Sequence, residues 1–193
     1  MAVLAMIKFA GVSIAAIWFG GTVFFSFCAA PMFFSDTFKN YLMNSPHNGE
    51  AAQMLLVRCY WFHYTCSILA LAHLGFDWVY TGKVMQRRNL AAVLGVFFIA
   101  LFAGQWMHPK LERLYRTKYS EHYSPEYFKQ QKINVTPELK QQAEHSFSVW
   151  HGISQTANLL ILLVLWFYLW QMMHPKEGPR YLGGGKFNID NHY

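Results

Sequence analysis

The sequence predicts an all-α fold: an integral membrane, antiparallel four-helix bundle with an amphipathic helical third connector. Composition is the first reason. The 193 residues are 54% hydrophobic and only 13% charged, about half the charged share of an average soluble domain. The second reason is that the apolar residues are gathered into blocks at 2–34, 54–80, 90–108 and 147–173. The third is length. At ~1.5 Å per residue each block can cross ~30 Å of hydrocarbon as a helix.

The first block carries one cation, Lys8, and ends near Cys28-Ala29-Ala30. Its apolar core is longer than the ~7–15 residues of a secretory signal, so it is expected to remain as a span. Gly11, Gly20 and Gly21, with Ser13 and Ser26, are small residues that let helices approach closely. Pro31 should bend or end this helix. The connector 35–53 holds Pro46 and Gly49 and is expected to be a turn-rich loop. In the second block, Trp61 marks one bilayer interface, with Arg58 reaching the headgroups, and Trp78 and Tyr80 mark the other. Asn89 is the expected N-cap of the third helix.

Trp106-Met107-His108-Pro109 closes the third block, where proline should kink or stop the helix. Beyond it, Leu111, Leu114 and Tyr115 recur at helical spacing, with Glu112 and Arg116 at i,i+4. The segment 110–123 therefore predicts a short amphipathic helix lying at the surface. Ser124-Pro125-Glu126 and Thr136-Pro137-Glu138 are both helix starts, a capping hydroxyl followed by proline at the first helical position. The second start runs without a breaker into the last block, so the fourth helix should protrude from the membrane before entering it. His174-Pro175 ends it. The chain divides into a four-span domain, 1–175, and a polar tail, 176–193, whose Gly183-Gly184-Gly185 run lacks apolar periodicity.

The net charge of +6 fits loops beside anionic lipid. No basic run with interleaved aromatics marks a nucleic-acid surface. Membrane lipid and other membrane-protein subunits are the expected partners. Lys83, Arg87 and Arg88 in the second connector, with Lys176, Arg180 and Lys186 in the tail, place both termini in the cytoplasm, in a bacterial inner membrane. Arg113 and Arg116 pull the other way. The chain has three cysteines, all inside spans, and an odd number of buried thiols gives no disulfide framework. The sequence contains no phosphate-cradling glycine loop and no nucleophile elbow, and the expectation is a component without catalysis.

One helix face stands out. Cys59, His63, Cys66, Ala70, His73 and Asp77 lie within roughly 40° of one line at about 100° per residue. An ionisable group at mid-depth costs about 2.5–3.5 kcal/mol on insertion scales, so this stripe should face protein or a ligand. The up-down chain direction puts Cys59, His63 and Cys66 at the depth of Gln105 and His108, and of His151, Ser154, Gln155 and Asn158 on one face of the last helix. Four readings of this end compete. The polar groups can join helices by hydrogen bonds. His63 and His151 can be the axial pair of a haem b. Cys59, His63, Cys66 and His151 can hold zinc or cuprous copper. Or the aromatics can wall a small-molecule or quinone pocket lined by Ser154, Gln155 and Asn158. Deeper in, His73 pairs most simply with Asp77, for which Lys8 is a second candidate partner. As a lone deep ionisable group, His73 is also the residue a small-solute transporter would use.

Several motifs are familiar. Ala16-Ile17-Trp18-Phe19-Gly20, Gln105-Trp106-Met107-His108-Pro109, and the block Trp150-His151-Gly152-Ile153-Ser154 with Asn158 and Leu159 resemble the transmembrane protein 205-like family, four-span proteins of unknown function. The resemblance covers nearly the whole chain and implies the four-span fold. Its third-span motif has an acid where this chain has His108. The chain is similar, more distantly, to copper-resistance membrane domains and to the haem-bearing HemJ-type protoporphyrinogen oxidases. Gly11 stands where the latter have a first-span histidine.

Overall fold

In the computed structural model, residues 2–41, 46–82 and 85–175 are described. The second-connector Lys83 and the whole tail, with its glycine run and its Lys176, Arg180 and Lys186, lie outside them. The first span comprises α1 (Ala2–Phe24), a π-helical turn Phe25–Ala29 and the short α2 (Ala30–Met32). After α3 (Asp36–Tyr41) comes the second span, α4 (His47–Thr81). The third is α5 (Arg87–Phe102), a second π-helical turn Ala103–Met107, and α6 (His108–Lys118). A 3₁₀ turn, Ser120–His122, and α7 (Pro125–Gln130) lead to the fourth span, α8 (Pro137–Met173). Among the described residues, four helices are long and apolar enough to cross a membrane. They form a ring in which α1 packs on α4 and α8, and α5 packs on α4 and α8.

The bundle is apolar on its outside. Phe9 is 76% exposed, Met54 72% and Val79 72%, a surface that water would not tolerate and lipid does. Trp61, Trp78 and Tyr80 are exposed, as interface residues should be. The stripe on α4 points inward: Cys59, His63, Cys66, Ala70 and His73 are all buried. One interior cluster joins Trp18, Cys66, Ala70, Val96, Leu165 and Tyr168; a second joins Tyr60, Ala103, Met107 and Leu111.

Proline meets expectation at Pro31, where the helix ends one residue later at Met32, and departs from it at Pro109, through which the helix continues to Lys118. Each proline follows a π-helical turn by two residues. A proline ring collides with the carbonyl four residues earlier, here Phe27 or Gln105, which lies inside the widened turn. The N–H of Ala30 bonds Phe25 O and that of His108 bonds Ala103 O, so the i→i−5 spacing moves the clashing carbonyl aside. The segment after Pro109 therefore does not lie on the surface. It continues the third span and packs along the protruding start of α8.

Ion pairs clamp this projection. Arg116 meets Glu112 at 2.7 Å, Lys118 meets Glu144 at 2.8 Å, and Lys140 meets Glu121. Lys140 holds the Glu121 carboxyl below its usual range. Thr136 Oγ1 accepts from Leu139 N–H at 3.2 Å, the cap its motif predicts.

Other expectations fail locally. The connector 35–53 is largely helical, since α3 occupies part of it and α4 begins at His47. Gly49 is inside α4 because the Tyr115 ring leaves no space for a side chain there, and Tyr115 O–H donates to Pro46 O at 2.8 Å. Asn89 is buried within α5, whose N-cap is Gln86; its Nδ2 contacts Met172 Sδ at 3.7 Å. Gly82 ends α4 with φ +61°, a left-handed cap suited to glycine, and its N–H bonds Trp78 O at 3.1 Å.

Candidate functional site

The polar faces do converge, around one cavity of about 890 Å³ between all four spans. It runs inward from Lys39 and Tyr119 to His63, Asn158 and Leu162. Of the residues singled out in the sequence, Cys59, His63, His108, His151, Ser154, Gln155 and Asn158 line it. Cys66 does not: it packs with Trp18 and Ala70 in the apolar cluster. Gln105 is exposed and is not among the cavity-lining residues.

Hydrogen bonds fix the inner end. Trp18 Nε1–H donates to His63 Nδ1 at 2.9 Å, with both side chains essentially unexposed at 0% and 1%. Asn158 Nδ2 donates to Ser26 Oγ at 2.8 Å, and Ser26 in turn donates to Thr22 O at 2.8 Å. Tyr64 O–H donates to Ala100 O at 3.2 Å. Each of these except the Ser26–Thr22 bond joins two spans, which is the helix-joining role expected of such groups. His151 stacks on Phe147 with an interplanar angle of 10° and lies 3.1 Å from Gln155 Nε2.

Sequence reasoning missed Trp18. A buried indole N–H needs an acceptor, and that requirement was the available signal. It also missed the role of Lys110, whose ammonium sits 3.8 Å from the Trp150 ring centroid and 4.9 Å from that of Trp106. The indoles meet edge to face at 5.2 Å, tying the third span to the fourth by cation–π attraction.

His73 has a different partner from Asp77. Its Nε2–H donates to Ile7 O at 2.8 Å, and its ring lies against Gly11, where any Cβ would collide with it. Among the described residues neither Asp77 nor Lys8 forms an ion pair. His73 is also absent from the cavity wall.

The residues do not suit a haem. Iron takes an unprotonated imidazole nitrogen. An indole only donates, so His63 Nδ1 must accept and Nε2 keeps the ring proton. For a single zinc or copper ion, Cys59 and Cys66 are about 10 Å apart along α4 by helical rise, whereas shared thiolates each lie ~2.3 Å from the metal. Among the described residues no three His, Cys, Asp or Glu side chains are grouped as a metal site needs.

Fold and cavity together define a polytopic α-helical membrane protein with an aromatic, sparsely polar interhelical chamber. A family model described as a domain of unknown function, DUF4149, matches residues 13–120. The chain belongs to that family. No curated protein and no solved structure matches the chain.

Proposed function

We propose that this protein is a non-catalytic, accessory component of a membrane assembly that takes a lipophilic small molecule from the bilayer into its chamber. The cavity carries this reading. Its volume of about 890 Å³ falls within the ~300–1,000 Å³ of small-molecule sites, and such sites combine apolar walls with a few convergent polar groups. Phe25, Phe34, Leu56, Met107 and Phe147 supply walls here, and His63, His108, Ser154 and Asn158 the polar groups. His73 lies outside the chamber wall, with Nε2–H on Ile7 O and its ring packed against Gly11, which does not favour a transport path through it.

We assign the tail, 176–193, to contact with other subunits of the assembly. Both termini are placed in the cytoplasm of a bacterial cell, on the strength of Arg87 and Arg88, so the chamber opens toward the opposite face. The Trp150-His151-Gly152 block, whose indole grips Lys110, supports kinship with the transmembrane protein 205-like family.

The test is native mass spectrometry and solvent extraction of the protein in nanodiscs. A near-stoichiometric lipophilic companion is expected, displaced at least several-fold when Ser154→Trp fills the chamber without lowering the melting temperature. Retention of the same companion by Ser154→Trp, or none in wild type, overturns the reading.

A further inference from the structure

The protein sets the hydrogen-bonding directions at the inner end of the chamber. With Nδ1 occupied by Trp18, neutral His63 can offer only Nε2–H, and the ring lines the cavity. Both partners are packed without exposure, so the donor is held in one orientation. Asn158 spends one amide N–H on Ser26 Oγ, and Ser26 spends its hydroxyl hydrogen on Thr22 O. The lysine or arginine lining the cavity is Lys39, at the outer end. An anionic head group at the depth of His63 would lose its hydration with no opposite charge beside it, an unfavourable exchange. The inner end therefore selects a neutral acceptor.

Two further observations narrow the class. His108 also lines the cavity, its ring set edge-on to Tyr60 with centroids 6.1 Å apart, which adds a second imidazole to the chamber wall. Tyr60, Phe147 and His151 all line the chamber, with His151 stacked flat on Phe147, an aromatic environment suited to a planar ring.

We propose that the ligand is a lipophilic quinone, held by a hydrogen bond from His63 Nε2–H to one ring carbonyl. This rests on the reading of the chamber as a ligand site, and it concerns binding alone, with no change in the quinone's redox state.

The experiment compares three probes by equilibrium binding to full-length protein in nanodiscs, corrected for empty discs. They are a decyl-substituted 1,4-benzoquinone, the decyl-substituted benzene of the same shape without carbonyls, and decyl phosphate. The quinone is expected to bind about tenfold tighter than the carbonyl-free ring, the worth of one buried hydrogen bond. In His63→Phe that preference falls toward one, while Gly20→Ala, where an added Cβ meets nothing within 4 Å, leaves it unchanged. Equal binding of the two rings by wild type overturns the quinone proposal and leaves the ligand site standing. So does tighter binding of decyl phosphate. Binding of none of the three removes the site and the proposal together. Should His63→Phe fail to fold, the wild-type preference decides, with ¹⁵N-histidine labelling as a second readout. There the His63 Nε2–H resonance moves with the quinone and stays still with the carbonyl-free ring.

Discussion

Replacing His63 by Leu and Trp18 by Phe, singly and together, measures what the buried indole–imidazole bond contributes. The two side chains are 1% and 0% exposed and 2.9 Å apart, so no water can take the place of the lost partner. His63→Leu keeps most of the volume but strands the indole N–H, which costs about 1–3 kcal/mol in a protein interior. Interhelical bonds in membranes average only ~0.6 kcal/mol, with a maximum near 1.7, because the unfolded reference finds partners too. A loss of about 1–2 kcal/mol is therefore expected for His63→Leu. Trp18→Phe removes the donor and part of a ring against Tyr168, for a loss of about 2 kcal/mol, mainly packing. The double variant should lose less than the sum of the two, leaving a coupling of about 1 kcal/mol. Steric-trap or detergent-titrated unfolding of the four proteins supplies the cycle. Coupling inside the ~0.3–0.5 kcal/mol error of additivity would refute the bond, and with it the fixed donor at His63.

Other outcomes follow from single contacts. Gly11→Ala should destabilise by about 1–3 kcal/mol through overpacking against His73 and Met172, whereas Gly20→Ala should be neutral or stabilising by up to about 1 kcal/mol; thermal melts in detergent separate them. Asn158→Leu should lose only ~0.6 kcal/mol, since Ser26 keeps its acceptor at Thr22; a loss above about 2 kcal/mol would mean a role beyond this bond. Acidification should loosen the projecting segment. Lys140 depresses the folded-state Glu121 carboxyl, so that contribution is present above the ordinary glutamate range and is lost as pH falls through the depressed value. Hydrogen-exchange protection factors at 119–140, corrected for the slower intrinsic exchange at low pH, should fall there, and less so in Glu121→Gln.

Hydropathy made the four crossings legible, and the 3.6-residue period made the buried face of α4 legible, because lipid penalises each polar group wherever it faces outward. Chain direction sufficed to bring His63, His151 and Asn158 to one end. Pairing was not legible. Whether His63 meets Trp18 or His151, and whether His73 meets Asp77 or Ile7, depends on helix rotation and on the room left at Gly11, which periodicity does not encode. Helix ends were misjudged for a related reason. Segment 47–53 is polar enough to leave the membrane yet is helical, because Tyr115 with Pro46 replaces the hydrocarbon as stabilising surroundings, while 110–118 is helical as predicted but continues the third span. At Pro109 the helix continues because a π-helical turn relieves the clash that the proline rule assumes, whereas the first helix does end one residue past Pro31.

At 37 residues, α8 is ~55 Å long against a hydrocarbon slab of ~30 Å. Its outer third projects as a mast, guyed to the third span by Lys118 with Glu144 and to the 3₁₀ turn beyond it by Lys140 with Glu121. No break separates this mast from Asn158 at the chamber's inner wall. A tilt of the mast would therefore be carried to the chamber wall through one unbroken helix.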